Sequence, residues 1–553
     1  MVLKKNVIPD YVFELSWEVC NKVGGIHTVL ASSALTIGKH FGERAVYIGP
    51  DLNTTEFTED KSLKSDWAKA LKKAGLRARI GRWNIASNPV AIVVDTNQCL
   101  DMKNEVYSDM WNAYGVDSLH AYGDYDEASM WAYAAGRVVE TIVAECLGTK
   151  AKVVLQAHEW LSAMGLLHIK SVSPSVATVF TTHATSIGRS ICGNGKSLYK
   201  YLDQYSGDIM ARELNMQSKH SSEKAAALFA DCFTTVSSIT DKECRALLGK
   251  ACDVILPNGF DTNLVPDAKT YKSQRAKARR KILNVMTALT GKPLSSDTLI
   301  VSTSGRNDYR PKGFDVYMEA LRRLDCDPSL TGDVVALIEV PCWTKSPRED
   351  LLSRLAAGKK EQENTPLVNP FITHDLHNLD YDRIVCTIRS LGLDNAATSG
   401  KVHVLLVPTY LNGSDGVLDT MYYELLTACD FTVYPSYYEP WGYTPMESAA
   451  FRIPTVTTDL AGFGCWVSEL REKDSSLGNG VTVLHRDDDN YFEIAEEIKN
   501  LILKYNSLGQ QQRQTMRKSA SETVKNAEWE IFIENYIKAF AFAIERAGER
   551  NGK

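Results

Sequence analysis

Short apolar runs alternate with longer segments of helical period along most of the chain. Val90–Val94 and residues 334–338 are apolar at every position, whereas residues 127–146 have a helical period. A fully apolar run is buried on both faces, which is typical of a parallel sheet with helices packed on each side. The alternation therefore predicts an α/β protein with doubly wound sheets. The other runs predicted as strands lie at residues 11–15, 45–49, 152–156, 177–181, 232–236, 298–305, 402–406, 431–433 and 455–457.

A turn-forming cluster interrupts this alternation near the middle of the chain. Pro257-Asn258-Gly259 is followed by a strongly basic stretch at residues 269–281, and a second series of strand-like runs starts at residue 298. Since 553 residues exceed what one hydrophobic core usually spans, we expect two domains. The predicted parts are a Rossmann-like domain at 1–285, a second one at 286–525 with a helical insertion at about 345–395, and an amphipathic helix at 526–553.

Charge and cysteine usage exclude several classes of protein. The net charge is −6, which provides no global field to hold a nucleic acid or an anionic membrane. No run of 18 or more apolar residues occurs, so no membrane-spanning segment is predicted. The 12 cysteines are scattered without a CxxC pair, which favours a reducing, cytoplasmic setting.

A Gly-Gly turn follows the first predicted strand. Lys22, Gly24 and Gly25 precede a helix expected to start near Ile26. Paired glycines let a ligand approach the backbone closely, and the free amides at the start of a helix attract an anion. Lys22 would add a mobile positive charge. A turn of this kind is also common as a purely structural joint, so both interpretations stay open.

A loop rich in Pro, Gly and aromatic residues ends in a helix-start signal. Thr444, Pro445 and Glu447 match the N-cap, the first residue and the third residue of a capping box. Capping alone would explain Glu447. Glu439 lies earlier in the loop beside Trp441, where packing does not require an acid, so we expect a functional carboxylate there.

Two further predicted strands are followed by charged or titratable side chains. Arg306 and Lys312 come directly after the strand at residues 298–305, and open α/β sheets bind ligands at this end of their strands. Two cations on one loop can clamp a diphosphate and stabilise its charge as it leaves. His183 and Arg189 follow another strand in the same way. The alternatives are a solvated surface pair and a structural histidine.

One pattern argues against a zinc site. His158-Glu159 resembles the start of HExxH, but Ser162 stands where the second histidine is required. No metal is expected on this ground.

Taken together, these motifs resemble the eukaryotic-type glycogen synthases, retaining glycosyltransferases of the third sequence family. The resemblance covers nearly the whole chain. Its most specific parts are Phe13 to Gly25, Thr182 to Thr185 with Gly188-Arg189, Pro257 to Gly259, Tyr434 to Glu447, Ile453-Pro454 and Ala461 to Gly464.

The resemblance implies a fold, a reaction and a set of residues. The fold would be GT-B, two facing Rossmann-like domains with an interdomain cleft, and the last helix would cross back to the N-terminal domain. The reaction would transfer glucose from UDP-glucose to the non-reducing 4-hydroxyl of an α-1,4-glucan such as glycogen, with retention and release of UDP. No cofactor and no metal are implied, because Arg306, Lys312 and helix amides can neutralise the diphosphate. Residues implied to bind the donor are Lys22, Gly24, Gly25, Arg189, Trp441, Gly442, Tyr443, Thr444 and Glu447, and those implied to be catalytic are His183, Arg306, Lys312 and Glu439.

The chain departs from the family where regulated members hold glucose 6-phosphate. The late stretch at residues 510–517 contains more glutamine than arginine, residues 262–281 contain no histidine, and Asp430 stands where the family has a histidine. An acid would repel phosphate, so little or no activation by glucose 6-phosphate is expected.

Other interpretations stay open from the sequence. The donor could be ADP-glucose, or the enzyme could be another retaining GT-B glucosyltransferase, such as a sucrose or trehalose-phosphate synthase. A catalytically inactive glucan-binding scaffold is the alternative of a different class. A homo-oligomer, either a dimer or a tetramer, is expected, and no nucleic-acid or membrane partner is.

Overall fold

The computed structural model describes residues 8–148, 150–357, 365–396 and 400–551. The chain divides into two compact units, one comprising Met1–Asp261 with Ala527–Lys553 and the other Thr262–Asn526. Among the described helices, none is long and apolar enough to cross a membrane.

In the described part of the first unit, nine strands form one sheet in the order β3-β4-β5-β2-β1-β6-β7-β8-β9. The pairs β3–β4 and β4–β5 are antiparallel, and every other neighbouring pair is parallel. The strands are β1 Tyr11–Leu15, β2 Ala45–Pro50, β3 Phe57–Glu59, β4 Ala78–Trp83, β5 Val90–Val94, β6 Val153–His158, β7 Ala177–Thr182, β8 Cys232–Thr235 and β9 Val254–Ile255. The helices are α1 Gly25–Phe41, α2 Ser65–Lys73, α3 Lys103–Tyr114, α4 Tyr125–Ile142, α5 Ala163–Val172, α6 Ser186–Gly193, α7 Gly207–Glu213, α8 Gln217–Phe229, α9 Ser238–Glu243 and, from the end of the chain, α19 Trp529–Asn551.

The described residues of the second unit form a parallel sheet of six strands in the order β14-β11-β10-β15-β16-β17, and an antiparallel pair, β12 with β13. The strands are β10 Leu299–Ser304, β11 Val334–Glu339, β12 Thr344–Pro347, β13 His374–Leu376, β14 Val402–Val407, β15 Phe431–Val433, β16 Thr455–Thr458 and β17 Val481–Leu484. The helices are α10 Ala268–Thr290, α11 Phe314–Asp325, α12 Glu349–Ala357, α13 Arg383–Ser390, α14 Tyr422–Leu426, α15 Tyr443–Ala450, α16 Gly462–Lys473, α17 Tyr491–Ser507 and α18 Gln510–Lys525.

The final helix α19 is part of the first unit. Trp529 is 2% exposed, and its Nε1–H donates to Ser32 Oγ at 3.0 Å. The Phe540 ring lies 6.1 Å from that of Phe41, so the apolar stripe read from the sequence packs against α1. Gly259 permits this packing, because a Cβ there would lie 2.6 Å from the Trp529 ring.

The boundary between the units differs from the one expected at residue 285. The basic stretch forms most of α10, which belongs to the second unit. Arg275 donates to the carbonyl oxygens of Thr427 (2.7 Å) and Cys429 (2.8 Å), and Arg279 donates to that of Thr298 at 2.6 Å. These arginines therefore anchor α10 to the segments that precede β10 and β15, so the basic stretch belongs to the second unit and not to the first domain.

The insertion expected to be helical is mixed. It contains α12 and α13, but also the antiparallel pair β12 and β13, which begins at Thr344. Residues 358–364, which fall within the predicted insertion, lie outside the described residues.

Candidate functional site

The Gly-Gly turn after β1 is closed by an acidic side chain. The carboxylate of Glu18 accepts the N–H of Gly24 at 2.9 Å and that of His27 at 2.8 Å. Two amides predicted to face an anion are thus bonded to Glu18. A Cβ at Gly24 would lie 2.9 Å from Glu18 Oε1, which explains the glycine there. Gly25 and Lys22 are exposed beside this turn.

Glu159, at the end of β6, fixes the loop that follows β7. Its carboxylate accepts the N–H of His183 at 2.9 Å and that of Ala184 at 3.0 Å. Glu159 has a φ of 65°, a left-handed conformation that costs free energy in a residue other than glycine. Burial raises its pKa to about 7, and the charge of Arg189 opposes this rise.

His183 lies at the end of a buried chain of hydrogen bonds. Its Nε2 is 2.9 Å from His158 Nδ1, and His158 Nε2 is 2.7 Å from Glu14 Oε2. Burial lowers the pKa of His183 well below its usual value and that of His158 to about 3, so both imidazoles are neutral. Burial also raises the pKa of Glu14 to about 8.

Arg189 carries a positive charge that acts on two acidic side chains of the first unit, Glu18 and Glu159. It lies on α6, whose start is capped by Thr185 Oγ1 accepting the N–H of Gly188 at 3.2 Å. Its positive charge lowers the pKa of Glu18 and of Glu159 against the effect of burial. The first unit therefore places a permanent cation near a buried carboxyl group, that of Glu159, and a half-buried one, that of Glu18.

In the second unit, the loops after β10 and β15 are bound to each other. Lys312 Nζ forms an ion pair with the carboxylate of Glu439, and the two side chains are only 14% and 15% exposed. The N–H groups of Tyr437 and Tyr438 donate to the carbonyl oxygen of Pro311 at 2.9 and 3.0 Å. Two residues predicted for the site are thus in direct contact.

Backbone hydrogen bonds hold the rest of the Glu439 loop. The N–H of Gly462 donates to the carbonyl oxygen of Glu439 at 3.0 Å, and the N–H of Phe463 donates to that of Trp441 at 2.6 Å. The buried Trp441 ring lies 6.2 Å from the Phe463 ring. The start of α16 therefore fixes both ends of this short segment.

Arg306 is placed differently from Lys312. Its side chain is 60% exposed at the end of β10, where it pairs with Asp308 at 3.1 Å. An exposed pair of this kind is weak, so the guanidinium can exchange Asp308 for a stronger anion.

The capping box predicted at residues 444–447 is wrong. Helix α15 begins at Tyr443, after Gly442 with a φ of 105°, and its N-cap residue makes no side-chain capping bond. Because the helix starts earlier than predicted, Glu447 lies beyond the capping position, and it accepts the hydroxyl of Tyr423 at 2.9 Å. Burial raises the pKa of Glu447 to about 7. Thr444 is half-buried in the first turn of the helix.

Sequence reasoning missed four residues of the first-unit cluster: Glu14, Glu18, His158 and Glu159. The available signal was an acid or an imidazole within or directly after an otherwise apolar strand. Within the described part of the chain, no group of three His, Cys, Asp or Glu residues is arranged to hold a metal ion.

Solved glycosyltransferases share this fold. The catalytic domain of starch synthase IV from Arabidopsis thaliana, bound to ADP and acarbose, superposes with a TM-score of 0.58 at 16% identity, covering 97% of this chain and 100% of that one. A trehalose 6-phosphate synthase from Burkholderia multivorans superposes with a TM-score of 0.55 at 10% identity, covering 99% of each chain. The predicted α/β class and GT-B fold are confirmed, and the fold is one of nucleotide-sugar glycosyltransferases.

The sequence identifies the family within that class. The glycogen synthase family model matches residues 14–365 and 359–551. The glycogen [starch] synthase of Neurospora crassa is 28% identical over 97% of this chain and 84% of its own length. Isoform 1 from Saccharomyces cerevisiae is 27% identical over 97% of this chain and 86% of its own. The chain belongs to the glycogen synthase family and is a glycosyltransferase.

Proposed function

We propose that this protein transfers glucose from UDP-glucose to the non-reducing 4-hydroxyl of an α-1,4-glucan, with retention of configuration and release of UDP. The observation that carries the proposal is the ion pair of Lys312 and Glu439 at the strand ends of the second unit. Transfer of a glucosyl group develops negative charge on the departing diphosphate and positive charge on the sugar ring. An ammonium group beside a carboxylate matches that separation of charge.

In this mechanism Lys312 leaves its contact with Glu439 in part and binds the diphosphate of the donor. Arg306 exchanges Asp308 for the same phosphates, and the amides at the start of α15, over Tyr443 and Thr444, add partial positive charge. These groups supply the charge stabilisation that a metal ion provides in other transferases, so we propose no metal and no cofactor.

Glu439 stabilises the positive charge that develops on the glucosyl ring as its bond to the diphosphate breaks. The backbone bonds of Glu439 and Trp441 to the start of α16 hold this loop. Gly442 leaves room for the Glu439 side chain, because a Cβ at residue 442 would lie 3.3 Å from Glu439 Cγ. Since same-face attack also retains configuration, a covalent bond to Glu439 is not required. Glu447, held by Tyr423, would accept or donate hydrogen bonds to ribose hydroxyls.

The cluster of the first unit acts on the sugar and its phosphates in this proposal. His183 and Arg189 bind the glucosyl group and a phosphate, and Lys22 adds a mobile cation beside the exposed Gly25. Glu18 holds Gly24 and His27 in position, so it serves as the structural partner of this turn.

We also propose that glucose 6-phosphate does not activate the enzyme. Asp430 is ion-paired with Arg275 and, at 2.8 Å, with Arg279. Arg517 donates to the hydroxyl of Tyr271 at 2.7 Å. The arginines that a phosphate would need are therefore engaged by an internal carboxylate or by a neighbouring hydroxyl. A homo-oligomeric state and a cytoplasmic location remain predictions.

The test is a comparison of donors with glycogen as acceptor, measuring initial rates for UDP-glucose and ADP-glucose with and without glucose 6-phosphate. The proposal expects a higher kcat/KM with UDP-glucose and no response to glucose 6-phosphate. A preference for ADP-glucose would show that the donor is ADP-glucose and not UDP-glucose. Glucan binding without nucleotide release would favour the inactive glucan-binding scaffold.

A further inference from the structure

A buried row of side chains crosses the middle of the nine-stranded sheet beneath His183. Glu14 on β1 and His158 on β6 are 0% and 1% exposed, and the chain of contacts from Glu14 through His158 ends at His183, which is 8% exposed. Within the described residues, Glu14 Oε1 is buried without a hydrogen-bond partner, and no residue contacts His183 Nδ1 by a hydrogen bond. In the described part of the chain, the row thus begins at a carboxyl group with one unpartnered oxygen and ends at a ring nitrogen without a hydrogen bond.

A proton on Glu14 Oε1 would be a buried donor without a partner, so a proton on Glu14 lies on Oε2, the oxygen that contacts His158. The two contacts in this row then permit two arrangements of protons between neutral imidazoles. If Glu14 is protonated, its O–H donates to His158 Nε2, His158 Nδ1–H donates to His183 Nε2, and His183 carries a proton on Nδ1. If Glu14 is ionised, His158 Nε2–H donates to it, His183 Nε2–H donates to His158 Nδ1, and His183 Nδ1 is bare. The two arrangements interconvert when the Glu14 proton moves to His158, the His158 Nδ1 proton moves to His183 Nε2, and the His183 Nδ1 proton leaves to solvent.

We propose that Glu14 and His158 are positioning residues that make His183 present Nδ1–H, a hydrogen-bond donor, to the hydroxyl oxygens of the glucosyl group. The inference rests on the proposed function only for the identity of that ligand. A buried carboxylate with an unpartnered oxygen is costly, so the protonated form of Glu14 is favoured at neutral pH. Burial raises the pKa of Glu14 to about 8, in agreement with this geometry.

The charged and titratable neighbours favour the same arrangement. Tyr47 on β2 faces Glu14, and burial raises its pKa well above the usual value, so it stays neutral. Tyr536 on α19 in turn faces Tyr47. At the other end, the positive charge of Arg189 lowers the pKa of His183 and disfavours a second proton on the ring. Glu159 holds the backbone N–H of His183 and not its ring.

The first experiment reads the tautomers in the free protein. With ¹⁵N-labelled histidine, the imidazole nitrogens are assigned from the spectra of His158→Gln and His183→Gln. We expect both rings to carry Nδ1–H at pH 7 and to change to Nε2–H as the pH rises through about 8. Nε2–H on His183 at pH 7 would overturn the proposal, whether or not the protein is active.

The second experiment removes the titration while keeping the shape. The amide N–H of Glu14→Gln can donate to His158 Nε2 at every pH, so His183 should keep Nδ1–H at pH 9. The wild-type kcat should fall about tenfold from pH 7 to pH 9, because one pH unit above a pKa of about 8 leaves roughly one tenth of Glu14 protonated. The kcat of Glu14→Gln should fall by less than about twofold over the same pH range. Tyr47→Phe is the matched control and should keep the wild-type profile.

The outcomes separate the two proposals. If the enzyme is active and Glu14→Gln changes neither its pH profile nor the His183 tautomer, the positioning role of Glu14 and His158 is contradicted. The proposed function then stands. If the tautomers are as expected but the protein transfers glucose from neither UDP-glucose nor ADP-glucose, the positioning role is supported and the proposed function is contradicted.

Discussion

The Nζ of Lys312 is paired with the carboxylate of Glu439, although 127 residues separate them in the chain. The pair forms because two parallel strands, β10 and β15, are neighbours and end at the same edge of the sheet. Lys312 and Glu439 are both mostly buried, so neither charge is fully solvated without its partner. The pair is therefore well suited to respond to a ligand that brings both charges.

Replacing Glu439 with Gln should abolish most of the turnover and leave the fold intact. The amide keeps the size of the side chain but cannot stabilise a positive sugar ring, so we expect kcat to fall by about 10²–10³. Initial rates with UDP-glucose and glycogen measure this, and the melting temperature checks the fold. Glu493→Gln, an exposed change on α17, is the control and should be silent. Turnover within threefold of wild type would contradict the role of Glu439.

Gly313 should be essential to the contact between the two loops. It has a φ of 71°, and a Cβ there would overlap the carbonyl oxygen of Pro435. Gly332 has a φ of 75° with no described atom within 4 Å of a Cβ, so Gly332→Ala reports the cost of the backbone conformation alone. We expect Gly332→Ala to cost about 1 kcal/mol in urea unfolding. Gly313→Ala should cost clearly more and also lower kcat; equal effects of the two changes would show that the close approach is unimportant.

Asp430 should stabilise the second unit more strongly at neutral pH than in acid. The positive charges of Arg275 and Arg279 hold its pKa below the ordinary value of 3.8 against the effect of burial. The stabilisation is therefore present above pH 3.8 and is lost as the pH falls through the lower folded pKa. Asp430→Ala leaves two largely buried guanidinium groups without this partner, and we expect a loss of about 3 kcal/mol at pH 7. Chemical unfolding of the wild type and of Asp430→Ala measures this loss of stability at pH 7 and at pH 3. A loss of equal size at the two pH values would contradict the ion pair.

Local sequence patterns predicted the strands that are almost wholly buried, and they did not predict the electrostatic cluster. The partly exposed strands β3, β4, β9, β12, β13 and β17 were not predicted. Val90–Val94 is recognisable because a strand buried on both faces must be apolar throughout. Glu14 and His158 interrupt such strands, and nothing local shows that the sheet brings them into contact across 144 residues. The capping box was misplaced because the left-handed conformation of Gly442 depends on packing, not on the residue pattern. The basic stretch was assigned to the first domain because the carbonyl and carboxylate partners of its arginines lie far along the chain.

The most direct test of the account follows the glucosyl group itself. Radiolabelled UDP-glucose is incubated with glycogen, and the labelled polymer is digested with an enzyme that releases α-1,4-linked sugar from non-reducing ends. We expect one UDP released per labelled glucose and release of all label by the digestion, with both signals lost in Glu439→Gln. Label in a soluble disaccharide, or UDP released without label in the polymer, would contradict it.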